Sequence, residues 1–421
     1  MLATFLALLV TVQNHPTLDS AMVTRVLTQL KTSDSTICQL AGQALSNYGG
    51  WWGWNYSDPS MPMPRPMPTP MPMPGGGGGG FHVEMHERGS EDINPATLRA
   101  FRSFVRDENR CVRLIAARVL GNHGGSGEYD LFIGLLRDTR ADLRETGALG
   151  LGEMEDSRAI NPLSKALSDD DSPAVRMTAA WALGQTEDKV AIDALARALN
   201  DRAPEVRRTA AWALGEIEDA RGVRPLTAAM TDPVLEVRIA AVWSLGEIED
   251  ASAVPLLTTA TKDREPRVRQ AAAWALGEIE SSQGIAALEP LVRDPVLSVR
   301  KTAIWALGEI EDGSGVRPVT VALRDSDPEV RVLAAWALGE IEDASAVDPL
   351  VTALKDSDIE VRATAAWALG EIESPRARDG LVAAQNDEAG SVRRAATWAL
   401  RQIEDNDESD FHVRPRVRVK P

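Results

Sequence analysis

Residues 327–343, DPEVRVLAAWALGEIED, contain the pattern that decides the fold of this chain. The tryptophan within it recurs at a constant interval of 31 residues. The series consists of Trp181, Trp212, Trp243, Trp274, Trp305, Trp336, Trp367 and Trp398. A fixed period near 30 residues is typical of a solenoid, in which one small helical unit is copied and stacked. Any function must then be displayed on surfaces built by the same position in successive repeats.

Each repeat is predicted to contain two helices. Asp327 can cap the second helix, and Pro328 suits its first position. At 100° per residue, one face of this helix collects a core stripe of Val330, Ala334, Ala337, Leu338 and Ile341. The first helix of the next repeat is expected over about 345–355, with a core column at Leu163, Leu195, Leu226, Leu257, Leu288, Val319, Leu350 and Leu381. Helices this short are unstable alone, so each repeat needs its neighbours.

Two charged columns accompany the tryptophans. An arginine stands five residues before each one, at Arg176, Arg207, Arg238, Arg269, Arg300, Arg331, Arg362 and Arg393. An aspartate column lies at Asp201, Asp232, Asp263, Asp294, Asp325, Asp356 and Asp387. Such pairs are expected to tie the turns between helices together by charge-assisted hydrogen bonds.

The repeat pattern also indicates the domain boundaries. Two weaker copies precede the tryptophan series, which makes about ten repeats over residues 93–406. We expect a degenerate helical repeat at 19–48, a low-complexity linker of Trp, Met-Pro and Gly at 49–92, and a basic tail at 407–421. The apolar start of the chain is too short to span a bilayer but suits a signal peptide over residues 1–18. The alternative is a buried first helix of the array.

Composition limits the function classes. The net charge of −17 argues against nucleic-acid binding, because an acidic body repels phosphates. Cys38 and Cys111 are the only cysteines, which is neither a disulfide framework nor a zinc site. No metal, cofactor or integral membrane segment in the mature chain is predicted. The signal peptide favours an extracytoplasmic location, periplasmic or secreted, with the cytoplasm as the alternative.

The unit V-R-x-x-A-A-W-A-L-G-E-I-E-D resembles the short HEAT-like repeat of phycobilisome (bilin) lyase subunits and deoxyhypusine hydroxylase, and also that of designed HEAT-like scaffolds. The resemblance covers residues 94–405 and implies an all-α, right-handed α-solenoid. Deoxyhypusine hydroxylases hold di-iron with several His-Glu pairs, whereas the one pair here, His86-Glu87, lies outside the array. No catalytic constellation stands out, so we expect a non-enzymatic interaction scaffold. The alternatives are a bilin-lyase-like enzyme subunit and a docking or sensory module of a larger envelope system.

The resemblance also indicates where a partner would bind, because second helices line the concave surface of HEAT-like arrays. The predicted binding ladder is the tryptophan series with the glutamates four residues later, Glu216, Glu247, Glu278, Glu309, Glu340 and Glu371. Aromatic faces beside carboxylates suit a protein or extended basic peptide, with a glycan as a further option. The alternative interpretation is that each tryptophan packs on its neighbours and stiffens the stack.

Overall fold

The computed structural model describes residues 20–31 and 93–409. These residues form two compact units, residues 20–31 with 93–244 and residues 245–409. Every regular element in this part of the chain is an α-helix or a short 3₁₀ turn. None of these helices is both long enough and apolar enough to cross a membrane.

The first unit holds the weaker repeats and the start of the tryptophan series. Its helices are α1 Ser20–Leu30, α2 Pro95–Arg102, α3 Arg110–His123, α4 Ser126–Leu136, α5 Ala141–Glu153, α6 Ile160–Asp169, α7 Pro173–Gln185, α8 Ile192–Ala198, α9 Pro204–Glu216 and α10 Val223–Ala229. Helix α11, Leu235–Glu247, follows and runs past the boundary at Ser244.

The second unit continues the same alternation of short and long helices. They are α12 Val254–Ala260, α13 Pro266–Glu278, α14 Ile285–Leu288, α15 Leu297–Glu309, α16 Val316–Ala322, α17 Pro328–Glu340, α18 Val347–Ala353, α19 Ile359–Glu371, α20 Arg378–Ala384 and α21 Gly390–Ser409. Helix α14 is the shortest because it passes into a 3₁₀ turn, Glu289–Arg293, at Pro290, which has no N–H to continue the α-helical bonding.

The predicted helix signals are confirmed in the repeat around Trp336. Helix α17 starts at Pro328, and the Asp327 carboxylate accepts a hydrogen bond from the Glu329 N–H at 2.9 Å. The first helix is shorter than predicted, because a 3₁₀ turn at Ala344–Ala346 precedes α18. Asp343 stabilises this turn by accepting a hydrogen bond from the Ser345 N–H at 2.7 Å.

The predicted core columns are confirmed. All five residues of the Val330 stripe are buried, and the eight members of the Leu350 column are each fully buried. The second helices of successive repeats pack against one another within each unit. Because these apolar faces are covered only by the neighbouring helices, stability is a sum over adjacent repeats.

The second helices are followed by a residue of unusual backbone geometry. Eight glutamates adopt a positive φ of 48–52°, at Glu155, Glu187, Glu218, Glu249, Glu280, Glu311, Glu342 and Glu373. The left-handed region costs a non-glycine residue about 1–2 kcal/mol. In each case the strained residue closes the helix by donating its N–H to a glycine carbonyl, as Glu342 does to Gly339 at 3.1 Å.

The glycine that stands three residues after seven of the eight tryptophans is required by close approach. A Cβ built on Gly339 would lie 2.8 Å from Cζ3 of Trp367 and 3.0 Å from Cα of Ala368. Gly277 and Gly308 meet the next tryptophan in the same way, at 2.9 and 3.0 Å. The glycine column therefore leaves room for the indole ring of the following repeat.

The predicted arginine–aspartate pairs also connect successive repeats. Arg331 makes a bidentate bond to the Asp356 carboxylate, 25 residues later, with both distances 2.9 Å. The same guanidinium donates to the backbone carbonyl of Asp325 in its own repeat at 2.9 Å. Burial by itself would raise the pKa of Asp356, but the bonds from Arg331 and from the Asp358 N–H outweigh it and lower the pKa.

At the start of the array, α1 packs on α2 and buries Val23, Val26, Leu27 and Leu30. Lys31 then pairs with Asp107. The proposed signal peptide, the linker at 49–92 and the end of the basic tail lie outside the described residues, so those boundaries stay predictions.

Gly339→Ala is expected to destabilise the array by about 1–3 kcal/mol, because the new methyl group collides with Trp367 and Ala368. Gly134→Ala in α4 is the matched control, since its Cβ meets nothing within 4 Å. The control should gain about 0.5–1 kcal/mol from the better helix former. Urea unfolding followed by far-UV circular dichroism measures both, and equal stability of the two variants would contradict the close approach.

Candidate interaction surface

The eight tryptophans differ in how much of each ring reaches solvent. Trp181, Trp274 and Trp305 are buried, with 6%, 5% and 4% of their surface exposed. The other five are half-buried: Trp212, Trp243, Trp336, Trp367 and Trp398. The Cζ3 edge of the rings lies against the glycine of the preceding repeat, as the Gly308–Trp336 and Gly370–Trp398 approaches show. The indoles therefore pack between repeats and, at these five positions, also present part of their surface.

The predicted glutamate column lies one turn after the tryptophans on the same helices. All six members, Glu216, Glu247, Glu278, Glu309, Glu340 and Glu371, are half-buried. In the second unit, burial is the largest cause that raises the pKa of Glu309 and Glu340. Repulsion from neighbouring glutamates raises these pKa values further, and the Trp305 side chain lowers that of Glu309 in part.

A second row of carboxylates, which the sequence reasoning did not single out, runs beside the first. It consists of the strained glutamates two residues further on, Glu280, Glu311, Glu342 and Glu373 in the second unit. Glu311 and Glu342 contribute to the raised pKa of Glu340, which shows that the two rows act on each other. The second glutamate of the repeated E-I-E-D motif could have indicated this second row of carboxylates. Its left-handed backbone, which determines where the carboxylate lies, was not readable from the pattern.

The site is thus a face formed by the second helices, with half-exposed indole edges and two rows of carboxylates; we call it the Trp/Glu face. Its chemistry is suited to holding cationic groups, because each carboxylate is close to others of the same charge. Among residues 20–31 and 93–409, no group of three or more His, Cys, Asp or Glu side chains is placed to hold a metal ion.

Comparison with protein families identifies the repeat. A family model of HEAT repeats matches residues 129–205, 195–265, 255–319 and 316–401, which together cover more than half of the chain. The chain belongs to the HEAT repeat family. The resemblance expected from the V-R-x-x-A-A-W-A-L-G pattern is thereby confirmed. No curated protein matches the chain significantly.

Two solved structures with TM-scores above 0.5 confirm that this HEAT repeat protein is an all-α solenoid. Importin β is 14% identical with a TM-score of 0.54, and the match covers 73% of this chain and 52% of importin β. Kap95 in a Kap95:Nup1 complex is 16% identical with a TM-score of 0.51, over 74% of this chain and 51% of that one. A crystal structure of an engineered protein is 23% identical with a TM-score of 0.44, over 73% and 98%. The chain thus spans about half the length of importin β and of Kap95.

Glu340→Gln is expected to raise the melting temperature at pH 7 by about 1–2 °C, because it removes one of several repelling carboxylates. The raised pKa means that the folded state holds the proton more tightly than the unfolded state does. The penalty of the carboxylate is therefore absent below the ordinary value of 4.5 and appears as pH rises through the folded pKa. The increase in melting temperature caused by Glu340→Gln should accordingly vanish near pH 4.

Thermal melts of the full chain at pH 4–8 measure this effect, with Glu404→Gln as the control. Glu404 is exposed to solvent, so the loss of its charge should change the melting temperature little at any pH. A constant difference between Glu340→Gln and the natural chain at every pH would contradict mutual repulsion in the carboxylate rows.

Proposed function

We propose that this HEAT repeat protein is a non-enzymatic scaffold that binds an extended, basic segment of a protein partner along its Trp/Glu face. The observation that carries the proposal is the pair of glutamate rows, whose members oppose each other's ionisation. A cationic ligand would relieve that repulsion. The loss of repulsion between the carboxylates would therefore contribute to the free energy of binding.

The spacing of the rows supports an extended ligand. Packed helices lie about 8–10 Å apart, so equivalent glutamates recur at about this interval within a unit. An extended chain advances about 3.3 Å per residue, so a cation at every third residue of a peptide would meet each repeat. The half-exposed edges of Trp336, Trp367 and Trp398 add aromatic surface beside the carboxylates for the stems and charges of Lys or Arg.

The family supports the class of function. HEAT repeat arrays such as Kap95, which was solved in complex with Nup1, bind protein partners. The Trp/Glu face and the basic character of the partner are our additions, argued from the carboxylate rows of this chain.

Glu340→Gln with Glu371→Gln is expected to weaken binding of a basic peptide about tenfold, because each lost Glu–Lys pair removes roughly 0.7 kcal/mol of binding free energy. The probe is a labelled 12-residue peptide with Lys at every third position, titrated with the full chain and followed by fluorescence anisotropy. A peptide of the same composition with its lysines clustered should bind more weakly, because it cannot match the repeat spacing.

The charge-matched control is Asp193→Asn with Asp379→Asn, two exposed positions on the first helices α8 and α20. This variant removes the same charge but leaves the Trp/Glu face intact, so its affinity for the spaced peptide should stay within about twofold of the natural chain. Equal losses in both double variants would reduce the effect to net charge and reject the face. Tighter binding of a neutral oligosaccharide than of the peptide would favour the glycan alternative.

We also propose an extracytoplasmic location. It rests on the apolar segment at residues 1–18, outside the described residues, and is supported by Cys111, which is disulfide-bonded. Disulfides persist mainly in oxidising compartments. Cys38 is the one other cysteine in the chain and also lies outside the described residues.

Expression of the full chain in a bacterium with a periplasm should yield a periplasmic protein that has lost residues 1–18. Its two cysteines should resist alkylation until a reductant is added, since both would be held in a disulfide. A chain starting at residue 19 is the control and should stay in the cytoplasm with alkylatable thiols. Intact-mass measurements decide the matter: retention of residues 1–18 with both thiols free would reject the proposed location.

A further inference from the structure

A basic stripe runs across four consecutive repeats of the second unit. Lys262, Arg293, Arg324 and Lys355 occupy the same repeat position, immediately before the aspartates of the arginine–aspartate pairs. Among the other tryptophan repeats, the equivalent positions are uncharged at Asn200, Thr231 and Asn386 and negative at Asp169. Positive charge is thus concentrated in one region of a chain whose net charge is −17.

The four side chains of the basic stripe are exposed, and none makes an ion pair with a residue in the described part of the chain. The aspartates beside them do not neutralise them, because each is already paired. Asp294 binds Arg269 at 2.7 Å, and Asp325 binds Arg300 at 2.9 Å. The positive charge of the stripe is therefore not neutralised by ion pairs within the described residues.

A cavity of about 1020 Å³ opens between two members of the stripe. Arg293, Arg317 and Arg324 line it, together with Ser314, Thr320 and the apolar side chain of Val316. Arg317 is anchored by Glu289 at 2.5 Å. Thr320 contributes to the lining, but its hydroxyl oxygen is itself covered and has no hydrogen-bond partner among the described residues.

We propose that the basic stripe and this cavity form a second docking surface, which binds an acidic extended peptide segment. Guanidinium groups pair with carboxylates through two parallel hydrogen bonds, so Arg293 and Arg324 can each take one acidic side chain of the partner. Their separation is one repeat, about 8–10 Å, which an extended peptide spans in three residues. An acidic side chain of the partner that lies between them faces the cavity, which Arg317 also lines.

This surface is chemically opposite to the Trp/Glu face and lies on a different part of the repeat, at the ends of the first helices and the turns that follow. The scaffold would thus hold two partners of opposite charge at once. Binding of an acidic segment here requires no residue of the Trp/Glu face.

The test uses the full chain and a labelled 12-residue peptide of alternating Asp and Glu, followed by fluorescence anisotropy at low salt. Arg293→Gln with Arg324→Gln is expected to weaken binding roughly 3- to 30-fold, the range for two exposed charge pairs. Neither side chain holds an ion pair in the described structure, so the fold is expected to be unaffected, which circular dichroism checks.

The charge-matched control is Arg197→Gln with Arg224→Gln, two exposed arginines of α8 and α10 in the first unit. This control should bind the acidic peptide as the natural chain does.

Two outcomes would overturn the proposal: no saturable binding of the acidic peptide, or equal losses of affinity in the stripe and control variants. Binding of a 12-nucleotide single-stranded DNA more tightly than the peptide would also reject the acidic peptide as the partner class.

Discussion

The second helices of successive repeats approach so closely that a glycine must stand where the indole of the next repeat lies over the helix. At Gly339 the space for a methyl group is occupied by Trp367 and Ala368. This one constraint explains why tryptophan, glycine and the alanine after the tryptophan recur together. It also brings equivalent side chains of neighbouring repeats into regular rows, on which every candidate surface of the molecule depends.

The charges of the repeat divide into those that hold the array together and those that remain on its surface. The arginine–aspartate pairs satisfy one another, and each arginine also binds a backbone carbonyl of its own repeat. Because the charges of each pair cancel, the pairs contribute little to the electrostatic potential of the surface. The glutamates of the Trp/Glu face instead repel one another, and the basic stripe makes no ion pairs within the described residues. Binding capacity is expected where charge is left unbalanced.

Much of the fold could be read from the period of 31 residues, since a repeat must bury the same positions in every copy. The core columns, the capping aspartate of α17 and the arginine–aspartate pairs followed from the same alignment. The 3₁₀ turn before α18 did not, because it depends on the Asp343 side chain binding the backbone two residues later. The left-handed glutamates were equally hidden, since glutamate has no intrinsic preference for that conformation.

The sequence by itself determined the helical repeat, its length, its core and the residue types on its outer faces. Only the tertiary structure decided how much of each tryptophan reaches solvent, because exposure depends on the neighbouring repeat and differs between Trp305 and Trp336 although both begin the same W-A-L-G-E-I-E-D motif. It also decided which charged side chains are paired with one another. The aspartate 25 residues after an arginine becomes its partner, and in the basic stripe the cation just before that aspartate makes no ion pair within the described residues. Burial and pairing are properties of adjacent repeats, and no single repeat contains them.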